Sequence, residues 1–121
     1  MNDYDRNLEK NNANFVPLTP ISFLERTQDI YPNYESVIYK KRVYTWKQTY
    51  DRCVKFASAL VKHGIKLGDT VSIIAPNIPE LFEAHYSIPM TGAVLNAINT
   101  RLDSKTVGYI LKHSDAKALI V

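Results

Sequence analysis

Three short apolar runs in the second half of the chain, Val71–Ala75, Ala93–Ile98 and Ala118–Val121, are separated by two segments of helix length. Their hydrophobicity is nearly continuous rather than alternating, which suits strands covered on both faces. Strands joined through helices cannot pair as hairpins. They pair in parallel through right-handed crossovers, so the architecture is an α/β sheet. Gly68-Asp69 turns the chain into the first strand, Pro76 stops it, and a helix runs from Pro79 to Met90. Gly92 leads into the second strand. Asp103 caps a helix reaching His113 with Val107, Ile110 and Leu111 inward, and the third strand follows. Three parallel strands bury little surface against the entropy of ordering them. The final apolar run carries no cap or covering helix, so the expectation is a truncated sheet, incomplete at its C-terminal end.

The first half supplies a helix, a hairpin and a long helix. Thr19 and Pro20 are a good cap and first-turn pair for a helix ended by Pro32; Ile21, Leu24, Gln28 and Tyr31 share one face. Ser36–Tyr39 and Val43–Thr45 flank Lys40-Lys41-Arg42 as two strands about a turn. Thr45 with Gln48 makes a capping box. From there Trp46, Tyr50, Cys53, Val54, Ala57, Leu60 and Val61 recur at helical spacing, opposite Lys47, Asp51, Arg52, Lys55 and Lys62, up to Gly64. Residues 1–16 are polar and asparagine-rich and read as an arm; residues 17–121 read as the folded portion.

Composition narrows the classes further. The 15 basic residues are interleaved with 12 acidic ones, so the net charge of +3 does not form a nucleic-acid stripe. A single cysteine, Cys53, forms no internal disulfide and belongs to an apolar stripe as packing. No apolar run approaches the roughly 20 residues of a membrane span. Met1 to Arg6 lack the apolar segment of a secretory signal, which makes the cytoplasm the expected compartment.

No complete catalytic constellation is present. Gly64, Gly68, Gly92 and Gly108 are too scattered for a phosphate loop, and His63, His85 and His113 lack metal-ligand spacing. His63 and His113 suit last turns of helices, where an imidazole complements the dipole. His85 shares a face with Leu81, Phe82 and Ile88 and precedes Pro89 by four residues. It is either a packed histidine beside a kink or part of a substrate pocket. Asn77, with Glu80 three residues on, reads as a turn or N-cap. Asn96 lies at, and Asn99, Thr100 and Arg101 just beyond, the carboxyl end of a parallel strand, where open α/β sheets place ligands. The alternative for them is a solvated loop.

Tyr44-Thr45-Trp46, Ala57-x-x-Leu60-x-x-x-Gly64-Ile65-x-x-Gly68-Asp69-x-Val71, Pro76-Asn77-x-Pro79-Glu80 and Gly92-Ala93-Val94-Leu95-Asn96 occur in this order. The succession resembles the N-terminal part of the adenylate-forming (AMP-binding) acyl-CoA synthetases. The run from Ile88 to Asp103 is most similar to the medium-chain acyl-CoA synthetase branch, with its plant acyl-activating enzymes and methylmercaptopropionate-CoA ligases. The resemblance implies part of the large N-terminal domain of that fold. It implies a parent protein that converts a short- or medium-chain carboxylic acid to its acyl-CoA through an acyl-adenylate, using ATP, Mg²⁺ and coenzyme A. The family's Ser/Thr/Gly-rich ATP loop, Mg²⁺-holding acid, ribose aspartate and C-terminal lysine have no counterpart here. The chain alone is therefore expected to be inactive, to bind none of these cofactors tightly and to need the remainder of its polypeptide. Position matching puts Asn99, Thr100 and Arg101 on the coenzyme A side and leaves His85 as a substrate candidate. A homodimer is a further expectation for the parent. The competing readings are a stand-alone nucleotide-binding α/β module and a basic nucleic-acid module.

Overall fold

In the computed structural model, which describes residues 9–121, β3 (Thr70–Ile74) is the centre of a parallel sheet. It lies between β4 (Val94–Ile98) and β5 (Ala116–Ile120), giving the order β4-β3-β5. Ahead of it come α1 (Pro20–Ile30), the strands β1 (Glu35–Tyr39) and β2 (Arg42–Thr45), and α2 (Trp46–Lys62). The crossovers are α3 (Pro79–Met90) and α4 (Ser104–His113). The anticipated parallel α/β architecture is present. Residues 1–8 of the anticipated arm lie outside the described residues.

Register decides what each face of the sheet meets. Val71 pairs with Leu95 and Ala118, and Ile73 with Ala97 and Ile120. Side chains alternate along a strand, so these residues share one face. That face packs on α2 and α3 through a cluster of Leu60, Ile65, Val71, Ile73, Ala84, Ile88 and Ala93. The opposite face carries a polar tie: the Asn96 amide donates to Ser72 Oγ at 2.9 Å and Ser114 Oγ at 3.2 Å, holding the end of α4 to β3 and β4. Asn96 is thus structural.

Coverage differs from the expectation strand by strand. Val71, Ser72 and Ile73 of β3 are buried on both faces. β5 begins at Ala116 instead of Ala118 and alternates half-buried with exposed, and Val94 and Ala97 of β4 are exposed. Edge strands have a neighbour on one side only, and α4 contributes no buried residue; Val107, Ile110 and Leu111 are half-buried.

The helices start where the sequence places them, and for the expected reason. Thr19 accepts from the Ser22 amide, Thr45 from the Gln48 amide, and Asp103 from the amides of Lys105 and Thr106. The buried side of α2, however, is Thr49, Cys53 and Leu60, with Phe56 half-buried; Val54 and Val61 face solvent. The apolar residues of α2 wrap wider than a roughly 100° contact stripe, and the hairpin decides which part is covered. Fully buried Thr49 bonds Ser36 of β1, whose hydroxyl also donates to the Tyr44 carbonyl at 3.0 Å.

Candidate functional site

After β3 the chain turns to α3 on one face of the sheet; after β4 it turns to α4 on the other. Adjacent parallel strands whose connections leave in opposite directions open a crevice at their carboxyl ends, the place where such sheets bind ligands. Here the crevice measures about 500 Å³ and is lined by Ala75–Asn77 and Leu81 on one wall and Ala97–Arg101 on the other.

The loop on the second wall is held at both ends. The Asn99 side-chain oxygen accepts from the Arg101 amide at 2.9 Å. At the other end, Asp103 accepts from the Thr106 hydroxyl at 2.7 Å and from two amides of α4. Those bonds, the Thr106 hydroxyl first, hold its carboxyl below the usual carboxylate range. Asn99, Thr100 and Arg101 therefore come together in one exposed turn at the mouth of the crevice. Among the described residues Arg101 has no carboxylate partner. A guanidinium offers five N–H donors in a planar fork, a match for a phosphate group.

His85 lies elsewhere. It lines a second cleft of about 650 Å³, walled by Ser36–Tyr39 of β1 and by Asn77–Pro79, Leu81 and Phe82. It is exposed, so the packed reading fails, although Ile88 three residues on is fully buried. A carbonyl can only accept, so Nδ1 carries the proton and donates to the Leu81 carbonyl at 2.8 Å. Asn77 borders both clefts. It does not cap α3 as anticipated; Ile78 is the cap residue and makes no side-chain cap bond. Pro79 at the first helical position demands an extended residue before it, which puts the boundary at Ile78. Glu80, expected to answer Asn77, is bound instead to Arg42 at 2.6 Å. That hydrogen bond, more than any other cause, holds the Glu80 carboxyl low.

Sequence reasoning missed a second charged pair. Glu83 of α3 is only 4% exposed and receives both Nε and Nη2 of Arg52, at 2.5 and 3.0 Å. Arg52 also lies over the Tyr44 ring and 3.8 Å from Glu80, so α2, α3 and β2 share one network. The available signal was a glutamate inside an otherwise apolar helix face. Beneath it, burial pushes the Cys53 thiol up to about 11. Folded protein at pH 8 should leave Cys53 unreacted with an aromatic disulfide reagent, and denaturant should release full reactivity within minutes. Rapid labelling of the folded chain would contradict this burial.

Among the described residues no group of three or more His, Cys, Asp or Glu could hold a metal ion. No glycine-rich loop follows any strand. The described residues thus offer ATP with Mg²⁺ neither a glycine-rich loop nor a cluster of three metal ligands, whereas the Arg101 turn offers a cation to an anionic group. No helix of the described residues is long and apolar enough to cross a membrane.

Comparison with known proteins places this geometry. A family described as AMP-binding enzyme matches residues 24–121. A peroxisomal butyrate–CoA ligase of Arabidopsis thaliana is 56% identical over 109 residues, which is 90% of this chain and 19% of that protein. An acetate–CoA ligase of Humulus lupulus is 54% identical over 94% of this chain and 20% of its own length. Among solved structures, a fatty acyl CoA synthetase of Mycobacterium tuberculosis superposes with a TM-score of 0.78 at 28% identity, covering 81% of this chain and 20% of that one. The chain thus spans about a fifth of the length of the curated relatives it matches. The expectation of a cytoplasmic location is overturned, since several matched ligases of A. thaliana are named peroxisomal. Such addresses are short peptides read by a receptor, which composition does not register.

Proposed function

We propose, from the premise that the chain belongs to the AMP-binding enzyme family, that it forms the first part of an ATP-dependent acid–thiol ligase. The relatives it matches are acyl-CoA ligases. The proposed reaction joins a short- or medium-chain carboxylic acid to coenzyme A through an acyl-adenylate. A carboxylate oxygen is a poor leaving group, and transfer to a phosphate makes it a good one before the thiol attacks. Residues 17–121 would begin the AMP-binding domain, with residues 1–16 as an arm. No residue of this chain is assigned to the adenylation step, because the groups that would hold ATP and Mg²⁺ are not among those present.

The contribution assigned to this part is a contact with coenzyme A. The observation that carries it is the Arg101 guanidinium, which has no carboxylate partner among the described residues, at the mouth of the crevice on a turn fixed by Asn99 and Asp103. Arg101 would bind a phosphate of coenzyme A, with Asn99 and Thr100 shaping the turn. In the complete gene product, Arg101→Ala should raise KM for coenzyme A about tenfold, the worth of one solvent-accessible charged hydrogen bond. Exchange of pyrophosphate into ATP with the acid should stay unchanged. An unaltered KM for coenzyme A would remove the assignment. The 121-residue chain by itself should catalyse no pyrophosphate exchange, and exchange by it would refute the division of labour.

A further inference from the structure

We infer that Arg42 and Glu80 are positioning residues for the crevice, and that the β1–β2 hairpin is the strap that holds its first wall. The inference rests on the coenzyme A reading and names what fixes the geometry of that site. The two walls are held differently. On the second, Asn99 and Asp103 bond amides only two or three residues away. On the first, Ala75–Asn77 has a local tie of one backbone bond, from the Ile78 amide to the Pro76 carbonyl at 2.8 Å, and Ile78 gives α3 no side-chain cap bond.

Glu80 ties this end of α3 to the rest of the chain. Arg42 donates to both of its carboxylate oxygens, Nη1 at 2.6 Å and Nη2 at 3.4 Å, across 38 positions of sequence. Arg52 stands 3.8 Å from the same carboxylate and binds Glu83 three residues further along α3. Cations and anions thus alternate from the hairpin through α3 to α2, and every member lies on this chain. Pro79 is fully buried and seats the first turn of α3 by packing. Apolar packing is non-directional, whereas a guanidinium fork against a carboxylate fixes direction as well as distance. Leu81, next to Glu80, lines the crevice together with Asn77, so a shift of this turn moves the wall. Both side chains of the pair are 42% exposed, which keeps it weak and its loss tolerable to the fold.

Steady-state kinetics and amide hydrogen exchange on the complete gene product test this. Arg42→Gln leaves α3 itself untouched. It should raise KM for coenzyme A about threefold with kcat unchanged, and speed exchange in the first turn of α3 by a similar factor. Arg42→Lys should restore most of both, and in a Glu80→Gln background Arg42→Gln should add nothing. Additive effects would mean that Arg42 acts through another group and would overturn the inference. Faster exchange with an unaltered KM would make the pair purely stabilising, which also overturns it. If Arg101→Ala raises KM while Arg42→Gln alters neither readout, packing alone holds the wall, and the coenzyme A reading survives without the strap. If Arg42→Gln raises KM and Arg101→Ala does not, the strap stands and the Arg101 contact falls. If neither substitution moves KM, both fall.

Discussion

Arg52→Met should lower the stability of the chain by about 3 kcal/mol, the cost of leaving a buried carboxylate without its partner. Glu83 stands at the contact of α2 and α3 with 4% of its surface exposed, and two of its hydrogen bonds come from Arg52. Methionine keeps most of the packing volume and removes both donors. Complete burial of the pair would put the loss toward 5 kcal/mol; the Arg52 side chain is 36% exposed, so water can reach one side of the pair and the lower end applies. Arg52→Lys restores a charge but not the planar fork and should recover less than half of the loss. The pH dependence of the native chain follows from Glu80: its carboxyl, held low by Arg42, adds stability above the unfolded pKa that is lost as pH falls through the folded one. Urea titrations of both Arg52 variants at pH 7 measure the losses. A loss below about 1 kcal/mol for the methionine variant, the range of an exposed pair, would mean that Glu83 is not isolated when Arg52 is gone.

The elements of this fold were legible because their ends are chemically marked. Gly68, Pro76, Gly92 and Asp103 bracket the strands and crossovers, and Thr19 and Thr45 begin helices as their side chains dictate. Such signals are local, so a sequence carries them intact. What it did not carry was the choice among equivalent surfaces. α2 is apolar over too wide an arc for its pattern to say that Cys53 turns inward and Val54 does not. Buried Thr49, Ser72 and Ser87 are tolerated only because Ser36, Asn96 and the Glu83 carbonyl come to meet them, from other elements or the preceding helical turn. The site divides the same way. The end of a parallel strand announced Asn99, Thr100 and Arg101. The wall that β1 contributes opposite His85 depends on how a hairpin packs against a helix some 40 residues later, and no spacing encodes that.

Ile88→Ala should be the most damaging simple truncation, at about 4 kcal/mol. Ile88 has no exposed surface and belongs to the cluster that joins α3 to Val71 and Ile73 of the central strand and to Leu60 of α2. Losing three carbons removes transfer energy, and a cavity adds to the cost unless the neighbours move in. They are poorly placed to do so. Val71 is fixed in the middle strand of the sheet by bonds to both neighbours. Pro89 stiffens the helix directly after the site, and Ala84, one turn earlier, is itself fully buried and too small to fill the space. Ile88→Val should cost about 1 kcal/mol at the same position. Urea unfolding measures both, and the slope should stay unchanged if only packing is lost. A loss below about 1 kcal/mol for the alanine variant, outside the range for a buried isoleucine, would mean that α3 can slide on the sheet. The crevice beside Asn77 and Leu81 would then have no fixed wall.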